Sequence, residues 1–153
     1  MIVSKFGNFY EDFEVGCVIE HALSKTILES DNNLFSLITM NHHPVHLNSV
    51  YANIENEGIL VVGTFVLSVA VGITVQDISG LAIANLGYNN VRHLLPVRIG
   101  DTISVATEVL NKRLSTKNSS RGIVHVKSTV FNQKREEVLV FERNVLIKTR
   151  IDD

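Results

Sequence analysis

Three histidines crowd into five positions, His42, His43 and His46, directly after Asn41 and around Pro44. An imidazole titrates near neutrality, so it can take and return a proton at physiological pH. Asn41 differs, because an amide orients water or substrate by hydrogen bonds but cannot accept a proton as a base. The spacing of His42 and His46 would suit a metal bound on one helix face. Pro44 breaks such a helix and no cysteine or carboxylate stands near, so no metal site is expected. His42 and His43 are instead expected at a rim. A second group is basic: Arg92 and His93 precede Pro96, and Lys112, Arg113, Lys117 and Arg121 flank a polar loop. A guanidinium fixes carboxylates and phosphates through paired N–H donors. Arg92, leaving an apolar stretch, is the first choice for a ligand carboxylate. Asp101, after Gly100, is read as shaping a turn. Cys17 is the only cysteine, so no intrachain disulfide can form and a reducing compartment fits. Its apolar neighbours suggest a buried structural thiol.

The elements that position these residues follow from periodicity. Phe13 to Ile27 reads as an early strand. Thr26 or Ser30 is expected to cap a helix with Glu29 and Asp31 at its positive end and with Leu34, Leu37 and Ile38 at helical spacing. Pro44 is expected to end that helix a few residues earlier. A short helix over Ser49 to Asn56 and a Glu57-Gly58 turn lead into the apolar run from Ile59 to Gln76. That run is apolar all round, which predicts a helix buried on every side. Interrupted by Gly63, Thr64, Ser68, Gly72 and Thr74, it reads as a core helix better than as a membrane span. Leu81–Val91, Thr102–Leu110, Ile123–Asn132 and Val138–Thr149 are β-branched runs. Ile103 to Val109 and Val124 to Val130 alternate as half-buried antiparallel strands do. The expectation is one α+β domain over residues 1–153, an antiparallel sheet around a buried helix.

Composition excludes some classes. The 153 residues are 45% hydrophobic and 20% charged, with a formal net charge of −2 and scattered basic residues. A nucleic-acid binder would concentrate positive charge, so none is expected as a partner. Met1 to Glu11 lacks an apolar signal core, so a cytoplasmic protein with no membrane association is expected.

Three segments resemble the MaoC-like dehydratase family, which includes the (R)-specific enoyl-CoA hydratases. Phe9-Tyr10-Glu11-Asp12-Phe13-Glu14-Val15-Gly16 resembles its N-terminal entry. Leu37 to Leu47, with Pro44-Val45-His46, resembles its hydratase motif, and Leu95-Pro96-Val97-Arg98-Ile99-Gly100-Asp101-Thr102 its inter-strand turn. Thr39-Met40-Asn41, Val71 to Asp77 and Ala84-Asn85-Leu86-Gly87-Tyr88 are most similar to the mesaconyl-CoA (β-methylmalyl-CoA dehydratase) and itaconyl-CoA hydratase branch. The resemblance implies a hot-dog fold, a curved antiparallel sheet wrapped around a long buried helix. It also implies reversible addition of water to a short-chain enoyl-CoA thioester, with no cofactor beyond the substrate's CoA. His46 matches the family's catalytic histidine, and Asn41 stands where many members carry an aspartate. Gly63 and Thr64, opening the buried helix, would bind the thioester oxygen through backbone N–H groups. His43, Arg92 and Arg121 are the candidates for substrate or CoA contact. A homodimer or dimer of dimers is implied. Two other classes stay open: a hot-dog thioesterase, for which Asp77 and Glu57 only bracket the helix, and a non-catalytic acyl-CoA binder, kept alive by Asn41.

Overall fold

The computed structural model describes residues 6–150. Five strands, β1 (Val18–Thr26), β2 (Ala82–His93), β3 (Thr102–Leu114), β4 (Arg121–Phe131) and β5 (Glu137–Lys148), form one sheet in the order β1-β3-β4-β5-β2. Every pairing is antiparallel. The alternation read in β3 and β4 is realised, with Ile103, Val105, Val109, Val124, Val126 and Val130 buried on the inner face. Between β1 and β2 the chain forms α1 (Glu29–Ile38), α2 (Pro44–Leu47), α3 (Ser49–Glu55) and α4 (Gly63–Ile73), followed by a π turn over Val75–Ser79.

Several local expectations are corrected. Neither Thr26 nor Ser30 caps α1: the N-cap is Leu28, and its N–H donates to Asp31 Oδ2 at 3.0 Å. Pro44 does not end α1. Met40 does so by turning left-handed at φ 59°, while the Asn41 N–H reaches back to the Ser36 carbonyl at 3.0 Å. Pro44 instead begins α2, where its missing N–H costs nothing. Cys17 is exposed, because it lies in the turn before β1 and its Sγ sits 3.7 Å from Glu14 Oε2.

The apolar run from Ile59 yields a helix of 11 residues, and it is not buried on every side. Val66, Ala70 and Ile73 face the sheet and are buried, Phe65, Leu67, Val69 and Val71 are half-buried, and Thr64, Ser68 and Gly72 are exposed. One helix on one sheet face covers only one of its own sides.

The interior has two apolar clusters, one around Val66, Ile103, Val130 and Phe141 and one around Phe13, Ile78, Val126 and Ile147. A polar belt separates them at one level across the sheet. His21 on β1 donates from Nδ1 to Asp77 Oδ2 at 2.7 Å, and its Nε2 meets Thr107 Oγ1 on β3 at 2.8 Å. Thr107 Oγ1 in turn lies 2.8 Å from Ser128 Oγ on β4. Arg143 on β5, 1% exposed, donates to Thr74 Oγ1 at 2.6 Å, just past the end of α4. Burial pushes the Arg143 guanidinium below its ordinary pKa, opposed by its hydrogen bond with Tyr88. Its Nε has no acceptor among the described residues. A buried cation held by hydroxyls alone recovers little of its desolvation cost. Arg143→Met is therefore expected to keep or raise the thermal midpoint; a fall of more than about 2 kcal/mol in unfolding free energy would show the belt to be net stabilising.

Candidate active site

The site is built around a buried asparagine. Asn32 on α1 is 0% exposed. Its Nδ2 donates to the His46 carbonyl at 3.0 Å, and its Oδ1 accepts the Val62 N–H, also at 3.0 Å. One side chain thus ties three helices together: α1, which carries it, α2, which carries His46, and the residue that opens α4. A buried amide is tolerable when both its ends are paired. A second link runs beside it, with the Leu60 N–H bound to the Val45 carbonyl at 3.2 Å.

His46 is half-buried, and its Nδ1 lies 2.8 Å from the Leu60 carbonyl. A carbonyl only accepts, so Nδ1 carries the proton and Nε2 of the neutral ring is the acceptor. The ring lines a cavity of about 310 Å³ with Gly63, Val66, His93, Leu95, Pro96 and Val97. The far wall is held in place by the backbone. Leu94 and Leu95 N–H both reach the Val138 carbonyl, at 2.9 and 3.4 Å, and the Val61 N–H donates to the Val97 carbonyl at 2.9 Å. Gly63 and Thr64 begin α4, where the first N–H groups have no intrahelical acceptor and carry the positive end of the helix dipole. The cavity therefore combines a proton acceptor with an anion-stabilising helix end.

The residues singled out from sequence fall into two groups. His46 and Gly63 line this cavity together. The others lie off its lining. Asn41 is half-buried between α1 and α2. His43 caps α2, its Nδ1 accepting the Val45 N–H at 3.2 Å, with its ring 6.2 Å from that of His46. Thr64 is exposed, but the group expected to act there is its backbone N–H, which follows that of Gly63 in the first turn of α4. Arg92 is exposed on β2 opposite Val140. Successive strand residues point to opposite faces, so the strand that brings His93 to the cavity turns Arg92 away. Arg121 opens β4 beside Lys148, whereas the cavity adjoins the other end of the sheet, roughly 30 Å along the strand at ~3.3 Å per residue. Asp101 shapes its turn as expected, accepting the Arg98 N–H at 2.8 Å beside Gly100 at φ 93°.

Asn32 was not picked out from sequence, and His93 was named only within the basic group, with Arg92 preferred to it. His93 carried a signal, a polar residue at the end of an apolar strand, but Arg92 offered the same one. Asn32 carried none, because its partners lie 14 and 30 positions away.

Sheet, central helix and cavity together define a hot-dog domain with an imidazole at the helix N-terminus. Residues 12–132 match the model of the MaoC like domain, and the chain belongs to that family. It is 36% identical over 145 residues to beta-methylmalyl-CoA dehydratase of Chloroflexus aurantiacus, covering 94% of this chain and 41% of that protein. The chain thus spans about two fifths of the length of this curated relative. Among solved structures, a MaoC domain protein dehydratase from Chloroflexus aurantiacus J-10-fl superposes with a TM-score of 0.93 at 34% identity, over 99% of this chain and 43% of that one. A Mycobacterium tuberculosis protein with a double hotdog fold superposes with a TM-score of 0.87 at 24% identity, over 96% and 46%. That last likeness concerns the fold alone. Among the described residues no helix is long and apolar enough to cross a membrane.

Proposed function

We propose that the chain catalyses reversible addition of water to an α,β-unsaturated short-chain acyl-CoA, with a branched C5 dicarboxyl thioester of the mesaconyl type as the candidate substrate. The observation that carries this is His46: its Nδ1–H is committed to a carbonyl, which leaves Nε2 as a proton acceptor on a cavity that also holds the start of α4. Beta-methylmalyl-CoA dehydratase in a relative supports the reaction class and the C5 substrate.

In the hydration direction, His46 Nε2 takes a proton from water as its oxygen attacks the β-carbon. The alkene electron pair moves through the α-carbon to the thioester oxygen, and the negative charge is met there by the Gly63 N–H. His46 then returns its proton to the α-carbon and is neutral again. One group removing and returning the proton from one side gives syn addition. A preorganised N–H aimed at the developing charge contributes more than any ground-state contact. No step is assigned to Asn41, whose amide cannot take a proton.

The thioesterase reading needs a carboxylate at the thioester carbonyl. Asp77 is bound to His21, past the far end of α4 and roughly 20 Å from Gly63 at ~1.5 Å per residue. Glu57 is exposed in a turn. Neither supports hydrolysis. The exposed cysteine supports a reducing, cytoplasmic setting. Pairing of two hot-dog units is supported by β2, an edge strand that exposes Ile83, Leu86, Tyr88 and Val91, and by a relative more than twice as long. A homodimer is the form proposed for this chain.

The test is incubation of the purified protein with mesaconyl-, itaconyl- and crotonyl-CoA, following enoyl absorbance and free thiol. Absorbance lost without thiol release supports hydration, thiol release overturns it in favour of thioester cleavage, and no change leaves only binding. Gly63 gives a sharper handle. A Cβ built there would lie 2.8 Å from His93 Cε1. Gly63→Ala is expected to lower kcat at least ~10-fold by displacing groups at the thioester oxygen, with little loss of stability because the His93 side chain can swing outward. An unchanged kcat would show that turnover does not depend on the close approach of the His93 ring to position 63.

A further inference from the structure

Of the described side chains that line the cavity, only His46 and His93 carry polar atoms. His46 is fully used in the scheme above: Nδ1 binds the Leu60 carbonyl, and Nε2 must be an acceptor when water attacks. It cannot donate a hydrogen bond to the thioester oxygen at that moment. The charge that develops there would then rest on the Gly63 N–H with no side-chain partner.

His93 lies against Gly63. A Cβ built on Gly63 would fall 2.8 Å from His93 Cε1, 3.0 Å from Nε2 and 3.3 Å from Nδ1, so the nitrogen-bearing edge of the ring is turned to the glycine. The absence of a side chain at position 63 is what admits the ring. His93 is the last residue of β2, paired with Leu139 on β5, and the next two N–H groups are both anchored on Val138. Its backbone is therefore fixed where it meets the helix.

We propose that His93 is a further catalytic residue, the second hydrogen-bond donor to the thioester oxygen beside the Gly63 N–H. The inference deepens the hydration reading and rests on it. An imidazole offers an N–H in either protonation state, so the role needs no net proton transfer. Water's proton still goes to His46 and on to the α-carbon, and His93 only holds the oxygen while it bears charge. The two histidines divide the work, one accepting and one donating.

The experiment compares wild type with His93→Phe, which keeps a ring without an N–H, and with His93→Gln, which restores a donor. With mesaconyl- or crotonyl-CoA, His93→Phe is expected to lower kcat by 10²–10³-fold, the loss typical of one oxyanion donor, with KM changed by less than about threefold. His93→Gln is expected to recover at least about tenfold of that loss. A His93→Phe kcat within about threefold of wild type overturns the proposal. A second arm does not depend on turnover: acetoacetyl-CoA is titrated into both proteins, and the absorption of its enolate is followed. Wild type should deepen the enolate band and His93→Phe should not. If wild type hydrates nothing, the hydration reading fails and this arm alone decides: a wild-type band lost in His93→Phe keeps His93 as an oxyanion donor, and equal or absent bands overturn it.

Discussion

His46→Ala is expected to lower kcat for hydration by 10²–10⁴-fold, the range over which a positioned acid–base group acts. The scheme offers no substitute. Asn41 cannot accept a proton, Asp77 is bound to His21, and among the described residues no carboxylate lines the cavity. The fold should survive, because the His46 side chain is only half-buried and its one hydrogen bond is to a loop carbonyl. A thermal midpoint within a few degrees of wild type would separate lost chemistry from lost structure. His46→Asn adds a control, since an amide donor can still engage the Leu60 carbonyl but cannot carry the proton. Full turnover in His46→Ala would remove the imidazole from the mechanism, whatever the fate of the cavity.

The second large effect is expected at Asn32. Asn32→Leu keeps the volume but leaves the buried Val62 N–H and the His46 carbonyl without their partner. Unsatisfied buried groups of this kind cost about 1–3 kcal/mol each. Chemistry should suffer as well, because the same side chain sets the distance between the α2 backbone and the start of α4. A misplacement of about 1 Å can cost 10²-fold in rate. Asn32→Asp should be no milder, since a carboxylate at this fully buried position sets an unpaired charge against the His46 carbonyl oxygen. Asn32 is thus a positioning residue, and a kcat fall larger than the KM change is the readout. A protein destabilised by Asn32→Leu with unchanged kcat would leave the asparagine a purely structural role.

The strands were legible because β-branched alternation and inward packing have one physical cause. A period of two along Ile103 to Val109 and Val124 to Val130 can bury one face only as an antiparallel strand. The polar belt was hidden inside that same pattern. Thr107 and Ser128 fall on inward positions, and nothing local says that His21 and Asp77 will arrive at their level. Cys17 was misjudged because apolar neighbours in sequence do not imply burial at a sheet edge, where Val18 itself is 62% exposed. Pro44 was misjudged because the residue that leaves one helix also suits the first turn of the next.

Local sequence determined what each segment had to be: strands from alternation, an apolar helix from continuous hydrophobicity, and an imidazole after a proline from the motif around His46. These depend on neighbours within a few positions and survive without knowledge of the rest of the chain. Tertiary structure decided which segments meet. It set Asn32 between His46 and Val62, turned His93 rather than Arg92 to the cavity, and left half of α4 and the edge of β2 uncovered. Those outcomes follow from strand register and from hydrogen bonds between distant residues. A shift of one position in register exchanges the two faces of a strand while leaving its local pattern intact.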